Sequence, residues 1–373
     1  MKIAFIRKSF TPYGGAENYL NSLISHLKAP DNDIHVLSTS WTSTETGVNI
    51  HKIDTVSFNS LTSTLSFNRN ATRTAKMLSC DCTVSFERTT WQDIYRAGDG
   101  CHKQWLILRG QDKGKLKRLS FALNPMHRAI LSIERECFSA TPLIIANSNM
   151  VKSHIMEHYS ISADKIAVLY NGVDLERFKP INRSLWERWV RNEYVIPADC
   201  PILLFVGSGF ERKGLKTAIS ALAQLNGQFR LIIAGAGGTS RYKTLARDLG
   251  VTDMVIFAGP QTYVERLYAA SDVFVLPTLY DPFSNATLEA LASGIPVVTT
   301  KNNGAAEIIQ HGKDGLILEN TNDASELADK ITQIIENRES YALNAAQKAL
   351  AYPISGAALD FLNLIRAYTK TRD

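Results

Sequence analysis

Tyr280-Asp281-Pro282-Phe283-Ser284-Asn285-Ala286-Thr287-Leu288-Glu289-Ala290 places two carboxylates eight positions apart, one on each side of a helix start. The apolar run Asp272-Val273-Phe274-Val275-Leu276 comes before it, closed by Pro277, and reads as a buried strand. Ser284 or Asn285 serves as N-cap, accepting from the first unpaired backbone N–H groups. The remaining N–H groups and the positive helix end suit a diphosphate. Asp281 falls in the loop at the mouth of that cradle, and Glu289 about one turn into the helix. One segment thus offers an anion cradle and two hydroxyl-binding carboxylates, the parts needed to hold a sugar, a diphosphate and a ribose.

Outward from this stretch, short strands rich in β-branched residues alternate with amphipathic helices, the pattern of βαβ units in parallel sheets. The first unit runs from a strand at 2–7 through Gly14-Gly15 into a helix with Leu20, Leu23, Ile24 and Leu27 at helical spacing. Strands are expected at 34–37, 82–86, 143–147 and 166–170. A second run opens at Pro201-Ile202-Leu203-Leu204-Phe205-Val206-Gly207, with strands near 230–234, 254–257, 272–276, 295–299 and 315–318. The stretch 171–200, with Asn171-Gly172 and Pro180, reads as the connection between the runs. The expected domains are 1–173 and 174–352, with 353–373 a final helix able to pack on either. Two doubly wound sheets facing each other would bring their strand C-terminal ends, and so their ligand loops, to a cleft.

At 373 residues the chain has room for two domains, and its 45 % hydrophobic and 21 % charged content is that of a water-exposed globular protein. No apolar run approaches the roughly 20 residues of a membrane span. The start, Met1-Lys2-Ile3-Ala4-Phe5-Ile6-Arg7, is too short for a signal-peptide core. A cytoplasmic protein is expected. Its five cysteines show no metal or redox spacing and read as reduced thiols. The net charge of +5 is concentrated between Lys103 and Arg135, where eight cations face Asp112 and Glu134.

The other loops carry anion-binding features of varying strength. Gly14-Gly15-Ala16-Glu17 follows a strand and opens a helix, as a phosphate turn does, though a plain tight turn reads the same way. In Gly207-Ser208-Gly209-Phe210-Glu211-Arg212-Lys213-Gly214 two cations sit at a helix start, which the helix dipole disfavours; an external diphosphate would offset that penalty, and a solvated loop is the alternative. Ala234-Gly235-Ala236-Gly237-Gly238 lacks the acidic partner of a dinucleotide fingerprint and reads as a structural turn. Asp31-Asn32-Asp33 has metal-site spacing but precedes a strand, at the wrong sheet end, so no metal is expected. In Arg96-Ala97-Gly98-Asp99-Gly100-Cys101-His102, either Asp99 or His102 could face the site, and a turn role for Asp99 stays open. The basic segment 103–135 mixes its cations with Trp105, Leu106, Ile107, Leu119, Phe121 and Leu123. That composition suits an anionic membrane surface, and no nucleic-acid module accompanies it.

Together these motifs resemble, over nearly the whole chain, the retaining glycosyltransferases of family 4 and their GT-B fold: two Rossmann-like domains facing across a cleft. The resemblance rests on Gly14-Gly15-Ala16-Glu17, Tyr170-Asn171-Gly172-Val173-Asp174, Gly207 through Arg212-Lys213-Gly214, and Asp281 through Glu289 into Ala290-Leu291-Ala292-Ser293-Gly294-Ile295-Pro296. The family pattern is Glu, seven residues, Glu; here Asp281, one methylene shorter, takes the first place. The resemblance implies that Glu289 holds ribose hydroxyls, Arg212 and Lys213 neutralise the diphosphate, and the backbone at Phe283, Ser284 and Asn285 contacts phosphate or sugar. Asp281 would meet the donor sugar, and Gly14, Gly15 and Gly207 would line the donor. Within the family the chain looks like the bacterial lipopolysaccharide-core glucosyltransferases. That likeness implies UDP-glucose as donor, no metal or other cofactor, a lipid-linked saccharide as acceptor, Asp99 near the reacting carbon, and the basic segment against the inner membrane face. A nucleotide-sugar epimerase on the same fold and a non-enzymatic sugar-binding protein are the alternatives.

Overall fold

In a computed structural model, residues 1–9, 14–28, 31–41, 47–56, 58–111 and 114–371 are described, of residues 16 and 115–118 the backbone alone. The chain divides into two units, one formed by Met1–Tyr170 with Ser355–Asp373 and the other by Asn171–Ile354.

The first unit holds strands β1 (Lys2–Ile6), β2 (Asp33–Ser38), β3 (Val48–Lys52), β4 (Cys82–Ser85), β5 (Ile94–Arg96), β6 (Leu143–Ala146) and β7 (Ile166–Val168). They form one sheet in the order β3-β2-β1-β4-β5-β6-β7, every pairing parallel. Such a sheet is covered on both faces, which is why Ile3-Ala4-Phe5-Ile6 reads as an unbroken apolar run and is fully buried. Two strands escape the sequence pattern. β3 lies at the sheet edge and exposes most of its residues, including Ile50. β5 has three residues and ends on Arg96, a buried guanidinium packed 4.8 Å from the Tyr19 ring and 5.4 Å from that of Phe86.

The second unit holds β8 (Ile202–Val206), β9 (Arg230–Ala234), β10 (Val255–Gly259), β11 (Val273–Leu276), β12 (Val297–Thr300) and β13 (Gly315–Leu318), in the order β10-β9-β8-β11-β12-β13, again parallel throughout. In each sheet the strand order reverses once, between β1 and β4 and between β8 and β11. Those reversals leave a crevice at the strand C-terminal ends, where ligands of open α/β sheets bind.

The stretch 171–200 is more than a connection. It contains the helix Asn182–Glu193, which packs into the second unit with Trp186 stacked 4.2 Å from the Arg266 guanidinium. Pro180 and the Asn171-Gly172 turn had masked its amphipathic pattern. The final helix, Ile354–Lys370, joins the first unit: Phe361 is completely buried, its ring 6.5 Å from Phe5 and 6.0 Å from Phe86. The basic segment folds into helices His102–Gly110, Lys115–Leu123 and Pro125–Ala140. Asp112 and Lys113 lie outside the described residues, as do the side chains of residues 115–118. No helix among the described residues is long and apolar enough to cross a membrane.

Candidate active site

The loops after β8 and β11 meet at the reversal of the second sheet. Gly207, with φ +146°, opens the first loop, and a Cβ there would lie 2.4 Å from the Lys213 Cδ. Only glycine lets the lysine stem pass over the strand end. Lys213 Nζ then donates to Asp281 Oδ2 at 2.8 Å, and Arg212 Nη1 donates to the Tyr280 carbonyl at 2.8 Å while standing 3.4 Å from the same carboxylate oxygen. Asp281 is nearly enclosed, with 7 % of its side chain exposed. Burial alone would raise its pKa, but Lys213 and Arg212 outweigh burial and hold the carboxyl below its ordinary range. The Arg212-Lys213 pair and Asp281, read from two separate stretches of sequence, therefore form one cluster.

The backbone around that cluster is tied down on both sides. Leu279 N donates to the Arg212 carbonyl at 2.8 Å, as does Thr278 Oγ1 at 2.9 Å. Asp281 N donates to Asn302 O, and Gly304 N returns to Asp281 O. Behind them the buried Asn303 spends its whole side chain: its amide donates to Thr287 Oγ1 and Thr299 Oγ1, and its carbonyl accepts from Ser284 N and Ala305 N. No motif pointed to Asn303, because an asparagine beside a glycine reads as a turn.

Ser284 is the N-cap of the helix Asn285–Ala292, its hydroxyl accepting from Thr287 N at 3.3 Å. Phe283 is buried beside it, and Asn285 accepts a side-chain hydrogen bond from Asn171. That contact gives the Asn171-Gly172 motif a place next to the cradle. Gly172 lies against Pro353 and Ile354, where a Cβ would come within 2.6 Å of backbone. Glu289, one turn into the helix and half-buried, accepts from Tyr268 Oη at 2.9 Å. Burial pushes its carboxyl pKa up, against the pull of the Tyr268 hydrogen bond and of Arg177 and Lys213. Asp281 and Glu289 are thus driven in opposite directions by their surroundings.

The glycine run after β9 has a packing role. A Cβ on Gly235 would lie 2.3 Å from the Gly207 carbonyl, and one on Gly237 would enter the Phe210 ring at 2.8 Å. Asp33, from the Asp-x-Asp motif, gives its two oxygens to His35 and Asn49. Among the described residues no group of three or more His, Cys, Asp or Glu side chains is placed to hold a metal ion.

In the first unit, Gly14 is the N-cap of the helix Gly15–Leu27 and brings no side-chain cap of its own. Asp99 follows β5 with 34 % of its side chain exposed. Its Oδ2 stands 3.3 Å from Arg7 Nη1 and 3.9 Å from Arg88 Nη1. Arg7 also donates to Glu17 at 3.1 Å, which links Asp99 to the glycine-loop helix, and Arg88 Nε donates at 2.9 Å to Glu134, whose side chain is wholly buried. Burial disfavours charge on Arg7, but Asp99, Glu87 and Glu17 together raise its pKa. His102 sits otherwise. Its ring is 3.1 Å from His127 Nδ1, and burial with the nearby Arg88 pushes its pKa down to about 4, so it is neutral near pH 7. Of the two residues left open by the sequence, Asp99 is the one set beside arginines, Arg7 and Arg88. Arg7, Arg88 and Glu134 were not singled out, since each belongs to a different element and only the sheet order joins them.

Residues 13–177 match the family model described as Glycosyltransferase Family 4, and residues 188–349 match that described as Glycosyl transferases group 1. The lipopolysaccharide glucosyltransferase WaaG of Escherichia coli (strain K12) is 27 % identical over 335 residues, 85 % of each chain. A crystal structure of WaaG, a glycosyltransferase involved in lipopolysaccharide biosynthesis, superposes with a TM-score of 0.84 at 24 % identity, covering 97 % of this chain and 99 % of that one. An uncharacterized glycosyltransferase of Methanocaldococcus jannaschii is 34 % identical over 180 residues, 46 % of each chain. The chain spans about half the length of the curated relatives it matches at such identities. The Anabaena HepE structure in complex with UDP-glucose gives a TM-score of 0.76 at 21 % identity, covering 98 % of this chain and 100 % of that one.

Proposed function

This chain belongs to the family 4 glycosyltransferases of GT-B fold, and from that premise we propose that it transfers a hexose from a UDP-sugar, with glucose the first candidate, to a hydroxyl of a lipid-linked saccharide, retaining the anomeric configuration. The observation that carries the proposal is the Arg212–Lys213–Asp281 cluster beside the Ser284-capped helix, with Glu289 one turn further on. A glucosyl nucleotide is favoured by the company the fold keeps, since WaaG is named a glucosyltransferase and HepE was crystallised with UDP-glucose.

The difficult event is departure of the diphosphate. The bond between the anomeric carbon and the phosphate oxygen breaks, and its electron pair leaves with the diphosphate. Arg212, Lys213 and the helix end near Ser284 lower the energy of that charge. The acceptor oxygen bonds to the same face of the carbon and passes its proton to the departing phosphate, so no carboxylate nucleophile is needed. Asp99, flanked by Arg7 and Arg88, stabilises positive charge at the anomeric carbon or orients the acceptor. Asp281 sets the two cations and reaches toward the sugar; Glu289 takes the ribose. No metal enters this scheme.

A thermal-shift panel of UDP, GDP and ADP sugars, with and without EDTA, tests it. A ligand that binds the folded state alone raises the apparent melting temperature. One UDP-sugar is expected to shift it selectively, with EDTA making no difference. No shift from any nucleotide sugar, on folded protein, sinks the proposal; a shift abolished by EDTA sinks its metal-free form.

The acceptor side draws support from the basic helices. Ile107, Leu119 and Leu123 are exposed there, and Arg109 stacks 4.8 Å from the Phe121 ring and 5.9 Å from Trp105. Exposed aliphatic groups among cations suit an anionic lipid surface, each cation adding about 1 kcal/mol. Sedimentation with anionic vesicles is expected to fall steeply as salt rises, and equal binding to neutral vesicles would refute the electrostatic attachment.

A further inference from the structure

Tyr268 is completely buried in the helix Glu265–Ala270, yet it carries a hydroxyl, and a buried hydroxyl must find a partner. Two acceptors stand within reach, Glu289 Oε2 at 2.9 Å and the Ala286 carbonyl at 3.1 Å. The hydroxyl has one proton. A carboxylate is the stronger acceptor, so the proton goes to Glu289. The ring has little freedom. Phe178 meets it edge-on, centroids 5.6 Å apart and planes at 87°, and Phe274 of β11 lies 6.0 Å away at 34°. Tyr268 is therefore a rigid post that grips one oxygen of Glu289.

Glu289 needs such a post. Its nearest cations act at a distance: Arg177 spends its guanidinium on Glu265 and the Thr262 carbonyl, and Lys213 is committed to Asp281. A glutamate has three side-chain torsions, and without Tyr268 no other described side chain hydrogen-bonds it into place. With Oε2 held, Oε1 has one location and one orientation. A fixed carboxylate oxygen distinguishes a ligand with a hydroxyl at that point from one with hydrogen there, whereas a mobile one adapts to either.

We propose that Tyr268 is the positioning residue that fixes Glu289 against the ribose of the donor and thereby makes the protein select ribonucleotide over 2′-deoxyribonucleotide sugars. The proposal rests on the reading of Glu289 as the ribose-binding carboxylate. It specifies the substrate class further: uridine-type donors are accepted, and deoxythymidine-type donors are refused at the sugar of the nucleotide, not at the hexose.

The test is titration calorimetry of UDP and 2′-deoxy-UDP against wild type and Tyr268→Phe, with melting temperatures recorded for both proteins. Phenylalanine keeps the ring between Phe178 and Phe274 and removes only the proton donor. Wild type is expected to bind UDP about 10-fold more tightly than 2′-deoxy-UDP, the worth of one hydrogen bond to a charged group. In Tyr268→Phe, UDP should weaken about 5- to 10-fold and 2′-deoxy-UDP less than about 2-fold, so that the preference largely disappears. A merely structural tyrosine would weaken both ligands equally, and that result overturns the proposal, as does a variant that keeps the wild-type preference. Wild type that binds UDP without preferring it overturns the proposal while leaving UDP as the donor nucleotide. Wild type that binds neither overturns the donor reading beneath it.

Discussion

Arg212→Ala is expected to lower turnover about 10²-fold or more while leaving the melting temperature close to wild type. The magnitude is that of removing one preorganised stabiliser of developing negative charge. The geometry explains why the arginine, more than its neighbour, should show the effect cleanly. Lys213 is mostly enclosed and its ammonium sits directly on Asp281 at 2.8 Å, so its removal leaves a buried carboxylate without its closest cation and confounds folding with chemistry. Arg212 has a third of its side chain exposed. Its guanidinium carries five N–H donors, and the described contacts use it at the Tyr280 carbonyl and Asp281 only. The remaining donors suit a diphosphate fork to fork. Initial rates with the donor found by thermal shift, at saturating donor and acceptor, make the comparison. Turnover within a few-fold of wild type in a well-folded Arg212→Ala protein would sink the assignment of Arg212 to the leaving group. Arg212→Lys, which keeps charge and loses the planar fork, should fall between the two.

Gly214→Val is expected to destabilise the second unit by at least about 3 kcal/mol, a large share of the roughly 5–15 kcal/mol that holds a domain folded. Gly214 has φ +78° and sits where the loop after β8 passes the end of β11; a Cβ there would lie 1.9 Å from the Pro277 carbonyl. That neighbour is backbone next to a strand, so it cannot yield without displacing the Thr278–Asp281 loop that carries the site. Gly312→Ala supplies the control. Its φ is +81°, nearly the same, but nothing lies within 4 Å of the added carbon. Only the left-handed backbone penalty of about 1 kcal/mol remains there. Urea unfolding of the two variants separates close approach from backbone conformation. Equal and small losses in both would show that the contact at Pro277 is soft and that Gly214 is there for its φ alone.

Much of the candidate site was legible because its signals are local. Ser284 caps within one turn of its helix, and Gly207 and Gly214 mark loops that need a positive φ. The strands Ile202–Val206 and Val273–Leu276 show as apolar runs because parallel sheets are buried on both faces. The parts that escaped have weak local signals. Tyr268 looks like one more apolar position of a short helix, and Asn303 like a turn residue, until their partners arrive from other elements. β3 escaped because an edge strand does not need an apolar face, and the helix Asn182–Glu193 because the punctuation before it suggested a linker.

The amino-acid sequence by itself determined the buried parallel strands, the glycines at the strand ends, the helix cap at Ser284 and the spacing of the two carboxylates, since those depend on neighbours a few residues away. Which groups meet was decided only by the tertiary structure. Lys213 reaches Asp281 across 68 residues because β8 and β11 are adjacent in their sheet, and Arg7 reaches Asp99 across 92 because β1 and β5 lie on either side of β4 in theirs. Spatial neighbours then set the two carboxyls apart: Lys213 and Arg212 lower that of Asp281 against its burial, while burial raises that of Glu289, which among the described residues has no cation so near. Desolvation and Coulomb attraction depend on distance in space and on access to water, and neither is written in the order of residues along a chain.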